Sequence, residues 1–492
     1  MKNKVNFSQI TDYIETHKKS ILAILLIVHL LLNLILVFTT NITAETGISE
    51  SSASYSFFHN IILNGKELPL IIGGYRTTLP YIAVILYKIF GSLQAFFIFQ
   101  AILSTLTIFV LYDFILSITK NYVSAIFALF LSAIYTDFLL LTPVFYNQVI
   151  EIFCTVLIIN LTQKMVIKEK FFGFWYLIPF IIYLSCLFRS TLRYYGYLLL
   201  ILGVILLLLK CNKSALKTLL CGTITFILFA IIPLTNFSDQ KNIAPNDFIF
   251  FGHTLYGGDG GEGSFVYKEN EELYYQNLRI YLNNKYNPNK SNYLFNQIKY
   301  HQGDSLALVE RNQFQSNEIK VFIRNHPFQW LKLQIRKIVW EFGIIPIRDN
   351  LAILMTSDFS FNWIGASLIS QIPFVLIILI FYIMVILAFN IKDFCDINFI
   401  LLFLILGYLI AATTLYGHYS ERYRIPVVIA AIIPISSFYL NKIIHKSEKI
   451  LSKSRVILVI VVILVQVLVW FYQVNHIMTH KERYFGAIEK YE

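Results

Sequence analysis

Residues 399–440 read FILLFLILGYLIAATTLYGHYSERYRIPVVIAAIIPISSFYL, two apolar runs (about 399–416 and 427–440) separated by His418-Tyr-Ser-Glu-Arg-Tyr-Arg-Ile-Pro426. Apolar runs of this kind are membrane spans, and a tight turn between two spans needs only a few small polar residues. This turn instead carries His418, Glu421, Arg422 and Arg424. Charges at that density beside a bilayer are costly unless they bind something.

The rest of the chain fits the same solvent. Of its residues 57% are hydrophobic and 14% charged, with a mean hydropathy of +0.64, more apolar surface than a soluble domain can bury. Taking about 18 mainly apolar residues as a span, we find roughly eleven: 21–39, 92–118, 121–141, 144–163, 171–188, 194–209, 218–235, 367–390, 399–416, 427–440 and 456–473. The expected fold class is therefore an all-α polytopic membrane protein. The run 21–38 is too long for the core of a cleaved signal peptide and reads as a signal anchor. Cys154, Cys186, Cys211, Cys221 and Cys395 fall in spans or short connections and imply no disulfide framework.

Charge placement orients the bundle. Lys2, Lys4, Lys18 and Lys19 precede the first span. Lys164, Lys168, Lys170, Lys210, Lys213, Lys217, Lys442, Lys446, Lys449, Lys453 and Arg455 follow at alternate connections, so all share one face if the N-terminus is cytosolic. The net charge of +11 is thus a topological signal, and nucleic-acid binding is not expected. The protein should sit in the cytoplasmic membrane with its long connections on the extracytoplasmic side.

Three regions follow: a membrane module at 1–235, a large outer segment at 236–366, and a C-terminal membrane module at 367–492. Within the first module, about 41–91 forms an outer loop ending in an apolar stretch, 81–90, too short to span and expected to lie on the membrane surface. The large segment opens with Tyr256-Gly-Gly-Asp-Gly-Gly-Glu-Gly263, a flexible run that no Lys-Ser/Thr follows, so it is not a phosphate loop. Pro327 to Phe342 reads as an amphipathic helix in which Trp330, Leu333, Val339 and Trp340 alternate with Lys332, Arg336 and Lys337. No internal repeat is visible.

Five arginines stand against the charge rule, at outer span ends: Arg76, Arg189, Arg193, Arg422 and Arg424. The planar guanidinium fork suits phosphate oxygens. Any one of them could simply snorkel to headgroups, but five together favour an anionic ligand at the membrane surface. Carboxylates share that side: Glu45, Glu50, Asp137, Glu151 and Glu421. A carboxylate in apolar surroundings serves as general base or holds a divalent cation. Glu151, one turn into a span, has a rival role as a buried partner for Arg189 or Arg193. Asp113 and His29 need no function. No zinc spacing, Gly-x-Ser-x-Gly elbow or Walker motif occurs.

These features together resemble the GT-C class of polytopic glycosyltransferases, the bacterial relatives of protein O-mannosyltransferases and of the aminoarabinose transferases that modify lipid A. SSASYSFFHNIILNG (51–65) resembles their first outer loop, and YRTTLPYIAVILYKIFG (75–91) the basic, proline-bearing segment after it. TPVFYNQVIEIF (142–153) is similar to the start of their fourth span, and Arg189 to an Arg after the fifth. RNHPFQWLKLQIRKIVWEFG (324–343) and ERYRIP (421–426) resemble the helix and the Arg-Tyr-x-x-Pro ending of the class. In one departure, the acid usual about four residues before Tyr55 is Ser51 here, and Glu50 lies one place further off.

The resemblance implies transfer of a sugar from a polyprenyl-phosphate donor to a glycan, lipid or protein acceptor at the outer leaflet, by inverting displacement. It casts Glu50 as base, with Tyr55 and Glu151 beside it, and leaves Glu45, Asp137 and Glu151 as alternative bases. Arg76, Arg189, Arg193, Arg422 and Arg424 would hold the donor phosphate, supported by His418 and Glu421. A divalent cation is the one cofactor the pattern admits. A polysaccharide polymerase or ligase using a pyrophosphate-linked donor is the first rival, and a lipid-linked sugar flippase the second. A flippase should carry charges near the bilayer midplane and broken spans.

Overall fold

A computed structural model describes residues 7–40, 50–65, 71–72, 75–76, 78–167, 173–231, 271–300, 304–343, 370–414, 424–445 and 452–479. Among these, six helices are long and apolar enough to cross a membrane: Thr11–Thr39, Gln94–Thr119, Gln148–Ile167, Asn212–Ile231, Arg424–His445 and Lys453–Asn475. Shorter apolar helices lie between them, including Tyr122–Ile134, Tyr195–Leu208, Ile372–Ala388 and Ile397–Thr413. The chain is a helical membrane protein, as its composition requires.

The helices are α1 (Phe7–Thr39), α2 (Glu50–Asn64), α3 (Thr78–Phe90), α4 (Gln94–Thr119), α5 (Tyr122–Ile134), α6 (Thr136–Leu139), α7 (Gln148–Ile167), α8 (Leu177–Phe188), α9 (Tyr195–Leu208) and α10 (Asn212–Ile231). After them come α11 (Glu271–Lys285), α12 (Pro288–Lys299), α13 (Ser305–Asn325), α14 (Pro327–Glu341), α15 (Ile372–Ala388), α16 (Ile397–Thr414), α17 (Arg424–His445) and α18 (Lys453–Thr479). One departure from an all-α chain is a small antiparallel ladder, β1 (Ile71–Ile72) with β2 (Tyr75–Arg76), between α2 and α3.

Local chemistry sets the tight connections. Lys120 takes a left-handed conformation (φ 55°) to close α4, and the Asn121 side chain then caps α5 by accepting from Val123 and Ser124 N–H. The short run 427–440 belongs to a helix that extends from Arg424 to His445 and is almost wholly buried. Its Ser436 and Ser437 are tolerated because other helices surround it and each hydroxyl donates to a carbonyl four residues back. A single π-helical turn, Val428–Ile432, interrupts it. By contrast α18 is peripheral, with Ile457, Leu464, Leu468 and Phe471 facing outward, and it is tied on by Tyr382 Oη donating to Gln466.

The expected span 121–141 is corrected. Helix α5 stops at Ile134, where Tyr135 turns extended, and a buried segment containing α6 continues through 140–147. Non-helical backbone survives at such depth only where protein groups satisfy it. Gln100 Nε2 donates to the carbonyls of Thr142 (3.2 Å) and Val144 (2.8 Å), and the Thr142 hydroxyl donates to Asn33 Oδ1 (2.9 Å). His29 bonds Ser104 in the same layer (3.1 Å).

The large segment holds more order than a loop. Helices α11, α12 and α13 close a core of Tyr274, Leu278, Leu282, Leu294, Phe295, Phe314, Ile319 and Phe322, against which Trp330 of α14 packs. Buried Glu310 is ringed by Lys285 Nζ (2.8 Å), Tyr281 Oη (3.0 Å) and Tyr286 Oη (2.8 Å). Burial works to raise the pKa of this carboxyl, but these donors outweigh it and hold the pKa below the ordinary value. The glycine run 256–263 lies outside the described residues.

Candidate functional site

One end of the bundle gathers the lysines and their partners. Lys164 pairs with Asp113 and Lys442 with Asp393, Lys217 donates to Met165 O (2.8 Å), and Arg455 donates to Phe389 O (3.2 Å). Asn441 Nδ2 reaches Thr119 O (3.3 Å), and Lys18 sits 3.9 Å over the Tyr122 ring. Their grouping follows from the alternation of helix direction along the chain.

The opposite end holds Arg189, Arg193 and Glu151 and, by its backbone, the chain just after Arg76. Thr78 Oγ1, at the start of α3, donates to Leu187 O at the end of α8 (2.8 Å). That bond sets the chain just after Arg76 beside Arg189. Arg189 in turn forms an ion pair with Glu151 (Nε to Oε2, 3.4 Å), and the Glu151 side chain is 3% exposed. Of the two parts considered for Glu151, the structure displays the buried partner of Arg189. Arg193 is half-buried, its guanidinium 6.0 Å from the Tyr194 ring centre. Tyr408 Oη ties α16 to this corner by donating to Thr191 O (2.6 Å).

Arg424 and Asp137 are placed differently from the sequence expectation. Both side chains are wholly buried. Arg424 donates to Asp137 Oδ2 from Nε (3.1 Å) and Nη2 (2.7 Å), to Gly343 O from Nη1 (2.7 Å), and to Gln371 Oε1. Gln371 Nε2 closes the ring on Asp137 Oδ1 (3.1 Å), and the guanidinium stacks 4.0 Å from the Phe374 ring centre. The fork therefore spends its donors on protein groups, joining α6, the end of α14, the start of α15 and the first turn of α17. This corrects both the surface position of Arg424 and the outer-turn carboxylate at Asp137. Trp470 Nε1 to Phe342 O (3.0 Å) and Gln473 Nε2 to Val339 O (3.1 Å) fasten α14 to α18 at the same level.

Tyr55 is also buried, edge-on to Phe145 (5.1 Å, 87°) and near Phe97 (6.5 Å), and burial pushes the pKa of its hydroxyl up. It seats α2, whose first residue is Glu50, on α4 and on the segment before α7. Glu45, His418, Glu421 and Arg422 lie outside the described residues. Among the described residues, no group of three or more His, Cys, Asp or Glu could hold a metal ion. Sequence reasoning missed Gln371, Gly343, Gln148 and Thr78. The available signal was a polar residue opening an apolar run, as in Gln371-Ile-Pro373 and Gln148-Val-Ile150.

Compared with known proteins, the chain matches no protein-family profile and no curated protein sequence. Its backbone is similar to the archaeal oligosaccharyltransferase AglB of Archaeoglobus fulgidus solved with an inhibitory peptide and a dolichol-phosphate. The identity is 14% and the TM-score 0.47, over 93% of this chain and 55% of that one. The Archaeoglobus fulgidus oligosaccharyltransferase tethered to an acceptor peptide gives 13% identity and a TM-score of 0.48, over 94% and 55%. The chain thus spans about half the length of those proteins, and similarity at this level decides neither its fold family nor its activity.

Proposed function

We propose that this protein is a membrane glycosyltransferase of GT-C type, moving a sugar from a polyprenyl-phosphate donor to an acceptor at the outer membrane surface. The observation that carries this reading is the convergence of sequence-distant residues at one bundle end. The Thr78–Leu187 bond brings the segment after Arg76 beside the Arg189–Glu151 pair, while the lysine pairs occupy the other end. On this reading the short apolar helices other than the surface helix Thr78–Phe90 also cross, giving eleven crossings with the N-terminus cytosolic.

In the reaction, the acceptor hydroxyl passes its proton to a carboxylate, for which Glu50 is the candidate. The acceptor oxygen forms the new bond at the anomeric carbon as the bond to the phosphate oxygen breaks, with inversion. Negative charge grows on the leaving polyprenyl phosphate, and Arg76, Arg189, Arg193 and Arg422 would stabilise it. His418 and Glu421 would support them. Glu151 orients Arg189 through their ion pair, Tyr55 seats the helix that carries Glu50, and Arg424 positions the site by clamping four elements together. If a divalent cation takes part, the acids available to it outside the clamp and the ion pair are Glu45, Glu50 and Glu421.

The test is release of free polyprenyl phosphate by purified protein in nanodiscs from a panel of polyprenyl-phosphate sugars, with Arg189→Ala and Glu50→Ala alongside. Turnover of one donor, reduced about 10²–10⁴-fold in both variants, supports the reading. Consumption only of pyrophosphate-linked oligosaccharides, or movement of lipid-linked sugar across the bilayer without release, overturns it.

A further inference from the structure

Three buried amides of the bundle have hydrogen-bond partners for at least one of their polar atoms. Gln371 donates to Asp137 and accepts from Arg424, Gln100 donates to two carbonyls, and Asn33 donates to His29 O and accepts from Thr142. Gln148 is the exception. Its side chain is wholly buried, and among the described residues it is the one buried amide in which neither Oε1 nor Nε2 has a hydrogen-bond partner. An unpaired buried amide costs folding free energy that a methionine or leucine there would avoid. Such a cost persists where the group serves something outside the fold.

Its position says what that is. Gln148 opens α7, whose first-turn N–H groups point out of the helix end. It stands three residues before Glu151, hence on the same helix face as the Glu151–Arg189 pair. Helix α7 also packs against Arg424–Val427, the first turn of α17. The amide therefore stands on the helix that carries Glu151 of the Arg189 pair and packs against the turn bearing Arg424. It offers one acceptor oxygen and two donor hydrogens side by side. A phosphate oxygen only accepts and would leave Oε1 unpaired, whereas two neighbouring sugar hydroxyls can satisfy both amide atoms.

We infer that Gln148 is the residue that reads a hydroxyl pair on the transferred sugar, next to the phosphate held through Arg189. The inference rests on the glycosyltransferase reading.

The experiment compares the wild-type chain with Gln148→Met and Gln148→Glu in three measurements. These are thermal stability without donor, kcat/KM for the polyprenyl-phosphate sugar that the wild type uses, and kcat/KM for the matching series of monodeoxy sugars. The inference expects Gln148→Met to melt at or above the wild-type temperature while kcat/KM falls about 10–100-fold. It also expects the wild-type penalty on one deoxy sugar to shrink toward unity in Gln148→Met. Gln148→Glu, which keeps acceptors and loses donors, should shift that discrimination without abolishing turnover.

Unchanged turnover and discrimination in Gln148→Met sink the inference and leave the glycosyltransferase reading standing. A melting temperature several degrees lower also sinks it, by showing that the amide is structural. A wild-type protein inert toward every polyprenyl-phosphate sugar overturns the glycosyltransferase reading, and the inference falls with it.

Discussion

Replacing Arg424 with alanine tests the central clamp. The wild-type guanidinium neutralises Asp137 in a place where both side chains are wholly buried, and it also satisfies Gly343 O and Gln371 Oε1. Arg424→Ala leaves Asp137 charged and buried without its counter-ion, which typically costs about 3–5 kcal/mol. Gln371 Nε2 still reaches Asp137 Oδ1 and offsets a little of this. For domains of 150–250 residues each kcal/mol is worth about 2–4 °C, and less in a longer chain, so Tm should fall on the order of 5–10 °C. The assay is thermal loss of monodispersity in detergent, followed by intrinsic fluorescence. Because desolvation of both charges is itself costly, Asp137→Leu combined with Arg424→Met should recover to within about 2 °C of wild type. A fall of less than about 1 °C in Arg424→Ala would refute the clamp and return Arg424 to the donor phosphate.

Three further outcomes follow from particular contacts. A Cβ at Gly343 would lie 2.6–2.8 Å from the Gln473 amide, so Gly343→Ala should displace that amide from Val339 O and cost about 0.5–1.5 kcal/mol. Gln473→Ala in the same chain should absorb the effect, as thermal scans of the double variant would show. Glu310 has a depressed pKa in the folded state, so its stabilisation is present above the unfolded carboxylate value and is lost as pH falls through the folded one. Stability scans from pH 7 down to about 3 should therefore be flatter in Glu310→Gln than in wild type. Burial lowers the Lys337 pKa from its ordinary value to about 8. The unfolded chain then binds the extra proton between that pH and the ordinary lysine value, so wild-type stability should rise across this window. Lys337→Met should be more stable at pH 7 and lack the rise.

Several elements were legible in the sequence because their signals are local. The amphipathic pattern from Pro327 appears as a helix over Pro327–Glu341, with Pro327 in its first turn. The short gap between the apolar runs ending at 118 and starting at 121 appears as the tight connection from α4 to α5. Among the described residues, Lys18, Lys164, Lys217, Lys442 and Arg455 do meet at one end. The boundary at Ile134 was not legible, because the apolar run resumes at Phe138–Leu141 after only three residues, and the bonds that hold the segment beyond it, a donor from Gln100 of α4 and an acceptor from Asn33 of α1, come from distant helices. Helices α11–α13 were also missed. Their mixed polar sequences show no span-like hydropathy, and their core forms only when the three helices meet.

Hydrophobicity, charge bias and capping are properties of a few neighbouring residues, so the sequence by itself determined that this chain is a bundle of membrane helices, which end carries its lysines and where most helices lie. Which charges meet depends on how the helices pack, and only the tertiary structure decided that. Asp137 and Arg424 are 287 positions apart. Nothing local distinguishes Arg424, buried and fully bonded, from an arginine awaiting a phosphate. Nor does any local signal set Gln371, whose amide is paired, apart from Gln148, whose amide is not.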